Sequence, residues 1–158
     1  MAMADQPRLD DHVLDNMSVD PLPSGRRLRT VGNITSLESA NVVASTLESF
    51  SWSSLMDLAE GIRDRHGIGK DGLGLRYPGD DLDPWDEPYH DVLVYDQFDR
   101  VLVGVDAFER LATRYFRALV TGAQRLDDPV TRQPWWPGFV AATEEIERRV
   151  ASQGDPPH

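Results

Sequence analysis

The sequence predicts an α+β domain: a small, mainly antiparallel sheet with a central hairpin, packed by about three helices. Three observations lead there. Two β-rich runs, Asp91-Val92-Leu93-Val94-Tyr95 and Arg100-Val101-Leu102-Val103, are separated only by Asp96-Gln97-Phe98-Asp99, so they must return on themselves as an antiparallel hairpin. Two further stretches place apolar residues three and four apart, the period of an amphipathic helix. The chain has 158 residues, 40% of them apolar, which suits one core of ordinary domain size without disulfide staples.

Taken in order, residues 1–25 read as an acidic, flexible tail. Asp5, Asp10, Asp11, Asp15 and Asp20 face one cation, Arg8, and Pro7, Pro21 and Pro23 interrupt regular structure, with room for one helical turn near residues 13–17. Residues 26–152 form the expected domain, and 153–158 a second tail. Arg26-Arg27-Leu28-Arg29 opens the domain as a solvated strand entrance. Over residues 41–47 the β-branched Val42, Val43 and Thr46 favour a strand, which would join the hairpin sheet.

Leu55, Leu58, Ala59 and Ile62 then mark a helix, with Ser54 and Asp57 placed to satisfy its first amides and Gly67 to end it. Residues 67–88 carry five glycines and then a run of acids, and read as a long irregular connection. Both faces of the hairpin that follows are apolar, so it belongs near the centre of the fold. From Asp106 the residues Phe108, Leu111, Ala112, Tyr115, Phe116, Leu119 and Val120 describe the strongest helix. Glu109 takes the capping-box position with Arg110, Arg114 and Arg117 off the apolar face, and Gly122 is the natural stop. After a proline-rich loop, a last helix begins at Pro137 and continues through Phe139, Val140, Ile146 and Val150. One ring of Trp135-Trp136 is expected in the core. No repeat of 20–50 residues is visible.

Charge excludes one class of function. Sixteen basic against 27 acidic side chains leave a formal charge of −11, the wrong sign for a general nucleic-acid binder. Cysteine is absent, which removes disulfides, a thiolate nucleophile and cysteine-bound zinc. The opening Met1-Ala2-Met3-Ala4-Asp5-Gln6 lacks the basic and apolar parts of a signal peptide, and no apolar run reaches the roughly 18 residues of a membrane span, so a soluble, cytoplasmic chain is expected.

Gly67-Ile68-Gly69-Lys70-Asp71-Gly72 spells G-x-G-x-x-G, but phosphate binding needs a strand before it and a helix after it, and here the order is reversed. His12, His66, His90 and His158 are scattered, with no H-E-x-x-H spacing, and His66 fits a helix C-terminus, where positive charge is favourable. Neither a metal nor a cofactor is implied. The most unusual segment is Asp80-Asp81-Leu82-Asp83-Pro84-Trp85-Asp86-Glu87-Pro88-Tyr89-His90-Asp91. It lacks the central glycine and closing glutamate of a calcium loop. A solvated acidic loop is the plain reading. The sharper one is a partner-binding site formed by Asp80, Asp81, Asp83, Trp85, Asp86, Glu87 and Tyr89, in which prolines hold aromatic anchors among carboxylates for a basic protein.

The run D-V-L-V-Y-D-Q-F-D-R-V-L-V-G-V-D-A-F-E-R-L, residues 91–111, resembles a pattern met in small bacterial immunity proteins of polymorphic-toxin and contact-dependent inhibition systems: a hydrophobic hairpin feeding a helix that opens with an acid and Phe. The resemblance covers about a seventh of the chain. It implies a cytoplasmic protein that binds one cognate toxin, blocks its active site and has no catalysis of its own. The net charge and the acidic aromatic loop agree with that, and a basic toxin domain such as a nuclease is the expected partner. A small hydrolase or transferase using His90 and Asp91, or a dimeric accessory domain, are the alternatives.

Overall fold

A computed structural model describes residues 8–20, 27–30, 37–79 and 90–153. It is an α+β fold. Among the described residues a four-stranded antiparallel sheet, ordered β3-β4-β5-β6, runs through β3 (Ile68–Lys70), β4 (Leu73–Arg76), β5 (Val92–Tyr95) and β6 (Arg100–Val103). A separate antiparallel ribbon pairs β1 (Met17–Asp20) with β2 (Arg27–Thr30). The helices are α1 (Asp11–Asp15), α2 (Leu37–Glu48), α3 (Trp52–Asp64), α4 (Val105–Arg125) and α5 (Trp136–Gln153), with a 3-10 turn at Pro129–Arg132. Helix α2 lies on β5 and β6, α5 packs against both α3 and α4, and α1 with β1 lies along α4.

The predicted hairpin is present and central. Val92 faces Val103 and Tyr95 faces Arg100 in register, and Val92, Leu93 and Val94 are all buried, as expected of a strand covered on both faces. A second hairpin stands where the sequence suggested an irregular connection. Lys70 pairs with Leu73 across Asp71-Gly72, both with positive φ (54° and 82°), as a two-residue type I′ connection requires. Asp-Gly is the usual dipeptide for that turn, so the glycine run encodes a hairpin.

Residues 41–47 are a helix and not the expected strand. Ala40, Val43 and Leu47 are all essentially inaccessible, and their spacing of three and four residues puts them on one helical face, with Phe50 buried just past the helix end. Burying that stripe on β5 and β6 outweighs the weak β preference of Val42 and Val43, which differs from helix propensity by under ~1 kcal/mol per residue. The acidic N-terminal stretch also departs from expectation. Within residues 8–20, Leu9, Val13, Leu14 and Met17 are buried in the core, and Leu9 donates its amide to the Leu102 carbonyl beside the edge strand β6.

Four helix ends are corrected. Helix α3 starts after Ser51, ahead of the anticipated Ser54 cap, and ends on Arg65 in the left-handed conformation (φ 56°, ψ 47°), not on Gly67. Helix α4 starts after Gly104 and runs past Gly122 to Arg125; the chain then turns through Asp127 at φ 49°. Trp136 is buried against Phe139, at a ring separation of 5.5 Å, and Trp135 is half-buried.

Gly122 therefore sits within a helix, and a Cβ there would meet no atom within 4 Å. Gly122→Ala is expected to raise unfolding free energy by about 0.5–1 kcal/mol, because alanine loses less backbone entropy on entering a helix. Urea unfolding would check the sign: a glycine acting as a left-handed helix stop would respond with a loss.

Candidate functional site

The sheet presents its most exposed apolar side chain at the β5–β6 turn. Phe98 is 88% exposed, the extreme among large hydrophobic residues of the described chain. The turn that carries it is fixed. Asp96 Oδ1 accepts from the amides of Phe98 and Asp99, both at 2.8 Å, and the Asp96 amide donates to the Asp99 carbonyl at 2.9 Å. This is a side-chain-closed turn of the kind Asp forms readily. Two neighbours brace it: Ser45 of α2 donates to Asp96 Oδ2, and Gln97 Nε2 donates to the Asp71 carbonyl in the β3–β4 turn. Strand register brings these two turns to the same end of the sheet. The result is an exposed ring at a sheet end that carries Asp71, Asp96 and Asp99 together with the exposed cations Lys70 and Arg100.

Sequence reasoning placed the site elsewhere. Asp80, Asp81, Asp83, Trp85, Asp86, Glu87 and Tyr89 all lie outside the described residues. The strand ends that flank them, Arg76 and Val92, stand at the opposite end of the sheet from Phe98. Phe98 itself was legible as an aromatic ring set between two acids in a tight turn, a position with no core to enter. Asp91 is half-buried and accepts from Arg8 at 2.8 and 3.4 Å, so its carboxylate is spent on an ion pair, while the neighbouring His90 is exposed. His12 and His66 are exposed as well. Among the described residues no group of three or more His, Asp or Glu side chains could hold a metal ion, and no helix is long and apolar enough to cross a membrane.

One buried charged cluster stands apart. Glu109, which the helix pattern assigned to the capping box, is fully inaccessible in the interior. Arg65 reaches it through Nε (3.0 Å) and Nη2 (2.9 Å), and Arg149 through Nε (3.2 Å) and Nη2 (2.9 Å); Tyr77 donates its hydroxyl at 3.2 Å. Arg149 also donates to the carbonyls of Arg63 and Ile62, which closes the C-terminal end of α3. The cap position that turns Arg65 left-handed is what aims its guanidinium back at α4. Five donors on one carboxylate satisfy it completely, so the cluster is a structural tie between α3, α4, α5 and the residue following β4. Burial first, and then the adjacent Glu109 carboxylate, push the Tyr77 hydroxyl well above its ordinary range.

Compared with family models, curated protein sequences and solved structures, the chain matches none.

The cluster makes two predictions. Glu109→Ala removes the partner of two guanidiniums that keep partial access to water, and should cost about 3 kcal/mol in denaturant unfolding, towards the lower end of values for broken buried pairs. For Tyr77 the sign follows from its raised folded-state value. Unfolded tyrosine ionises near pH 10, so stability present below that pH is lost as pH rises toward the folded value. Tyr77→Phe should therefore flatten the decline in unfolding midpoint above about pH 10, which parallel urea titrations across the alkaline range would reveal.

Proposed function

We propose that this chain is a binding inhibitor of the bacterial immunity type, which neutralises a cognate, positively charged toxin domain by covering its active site. The observation that carries the reading is Phe98: an aromatic ring left 88% in water on a turn that Asp96 closes by hydrogen bonds, with exposed Asp99 next to it in the chain and exposed Asp71 on the neighbouring turn. A hydrophobic side chain so placed contributes nothing to the core. A rigid aromatic anchor presented by carboxylates suits a partner that offers an apolar pocket rimmed by Lys or Arg. The net charge of −11 supports the same reading, since an acidic field steers a basic domain into encounter. The acids and aromatic rings of residues 80–89 would supply a second contact region, proposed from the sequence pattern alone.

The test starts from the neighbouring reading frames, one of which must encode a toxin domain if the proposal holds. Co-expression with this chain should restore growth, and the purified pair should form a complex. Phe98→Ala should weaken that complex about tenfold or more, mainly through faster dissociation, while leaving the unfolding midpoint unchanged. Raising salt from about 50 to about 500 mM should slow association markedly, because the charges involved are exposed and screened. Association indifferent to salt, an unimpaired Phe98→Ala complex, or catalytic turnover by the isolated chain would overturn the proposal.

A further inference from the structure

Three indoles meet where α3 and α5 begin. Trp136 is buried, and Trp52, the first residue of α3, and Trp135, just ahead of α5, each reach it in edge-to-face contact, at ring separations of 6.1 and 5.9 Å. Phe139 holds Trp135 from another side at 6.2 Å. Trp52 and Trp135 stay half-buried, and with Ser53, Val130 and Gln133 they line a surface pocket of about 340 Å³, at the small end of the range for ligand sites.

None of these five lining residues is charged, but carboxylates stand next to them. Asp128 accepts from the amide of Val130 at 2.9 Å, and Asp57 follows Ser53 by one helical turn on the exposed side of α3. Neither forms an ion pair among the described residues. The neighbouring cations are engaged: Arg132, beside Gln133, is paired with Asp127 at 2.9 Å, and Lys70 donates to Ser54 at 3.3 Å. The charge left around the pocket is negative, in a chain that carries −11. Of the aromatic side chains, tryptophan attracts a cation most strongly, through the negative potential over its ring.

The lining also selects among cations. An ammonium or guanidinium leaving water needs acceptors for its N–H groups. Here only the Ser53 hydroxyl and the Gln133 amide could accept, and Ser53 already shares a hydrogen bond with Ser51 at 2.9 Å. An alkylated ammonium carries its charge on methyl groups and asks for none. We propose that the pocket between α3 and α5 binds a small quaternary ammonium ion, with its methyl groups against Trp52, Trp135 and Val130 and its charge balanced by Asp57 and Asp128. The site shares no residue with the Phe98 turn, and its test is independent of any protein partner.

The test titrates the full chain with choline and with tetramethylammonium, followed by amide and indole chemical shifts. The controls are methylammonium, guanidinium and the neutral carbon isostere of choline, in which a tert-butyl group replaces the trimethylammonium head. Saturable binding of choline in the millimolar range is expected, about tenfold tighter than that of the isostere, with shifts centred on Trp52, Ser53, Val130 and Trp135. Gln133→Lys, which sets a like charge at the rim, and Trp135→Leu, which removes one ring, should each weaken choline binding about tenfold. Trp135 also touches the core, so Gln133→Lys, at an exposed position, decides the question if the other variant is unstable. Choline that fails to saturate by about 20 mM overturns the inference, as does an isostere that binds equally well or binding that Gln133→Lys leaves unchanged. Methylammonium or guanidinium binding more tightly than tetramethylammonium overturns it too.

Discussion

The buried carboxylate of Glu109 is the constraint around which the helical half of this fold is arranged. A charge removed from water is tolerated only when its lone pairs are filled, and filling them here takes groups from widely separated parts of the chain: Arg65 at the end of α3, Tyr77 after β4 and Arg149 on α5. Each can reach only if its own element is in place. The left-handed turn at Arg65, the closing of α3 by Arg149 and the packing of α5 against α3 are parts of one geometry. Apolar burial supplies most of the driving force, but it is non-directional; the hydrogen-bonded carboxylate favours this arrangement of the helices over others that would bury similar area.

On the other side of the molecule the sheet depends on turn chemistry. Asp71-Gly72 sets the register of β3 on β4, and Asp96 closes the β5–β6 turn with its own side chain. Because β4 and β5 are antiparallel, both turns fall at one end, where Gln97 joins them. The exposed Phe98 therefore stands on a braced platform with little ordering left to lose on binding, which is how a single ring can anchor a partner. Charges of both signs stand at this sheet end, Asp71 and Asp99 beside Lys70 and Arg100, while on α4 Arg110 and Arg117 are paired with Asp15 and Glu147.

Much of the fold was legible from particular residues. The hairpin of Val92–Tyr95 and Arg100–Val103 follows from β-rich runs too close together to do anything else, and α4 from seven apolar positions at helical spacing, all of them buried. Where legibility failed, two local signals competed. Val42-Val43 carried a β preference while Ala40, Val43 and Leu47 carried the helical period, and the period reflects burial, which is the larger energy. The glycine run at residues 67–74 was open to reading as a flexible connection because the Asp-Gly turn within it is short. The candidate sites were less accessible still. Phe98 was visible only as a turn residue, since exposure is not a property of sequence.

The sequence by itself determined the class of the fold, the central hairpin, the amphipathic helices α3, α4 and α5 and the acidic balance, because periodicity, turn residues and charge are local and additive. Tertiary structure alone decided that Glu109 turns inward, that Leu9, Val13, Leu14 and Met17 enter the core, and that Arg114 donates to the Leu14 and Met17 carbonyls. Those outcomes depend on which distant groups arrive beside a side chain. A carboxylate placed at a helix start is a cap in water and a keystone between two guanidiniums, and only the assembled chain selects between them.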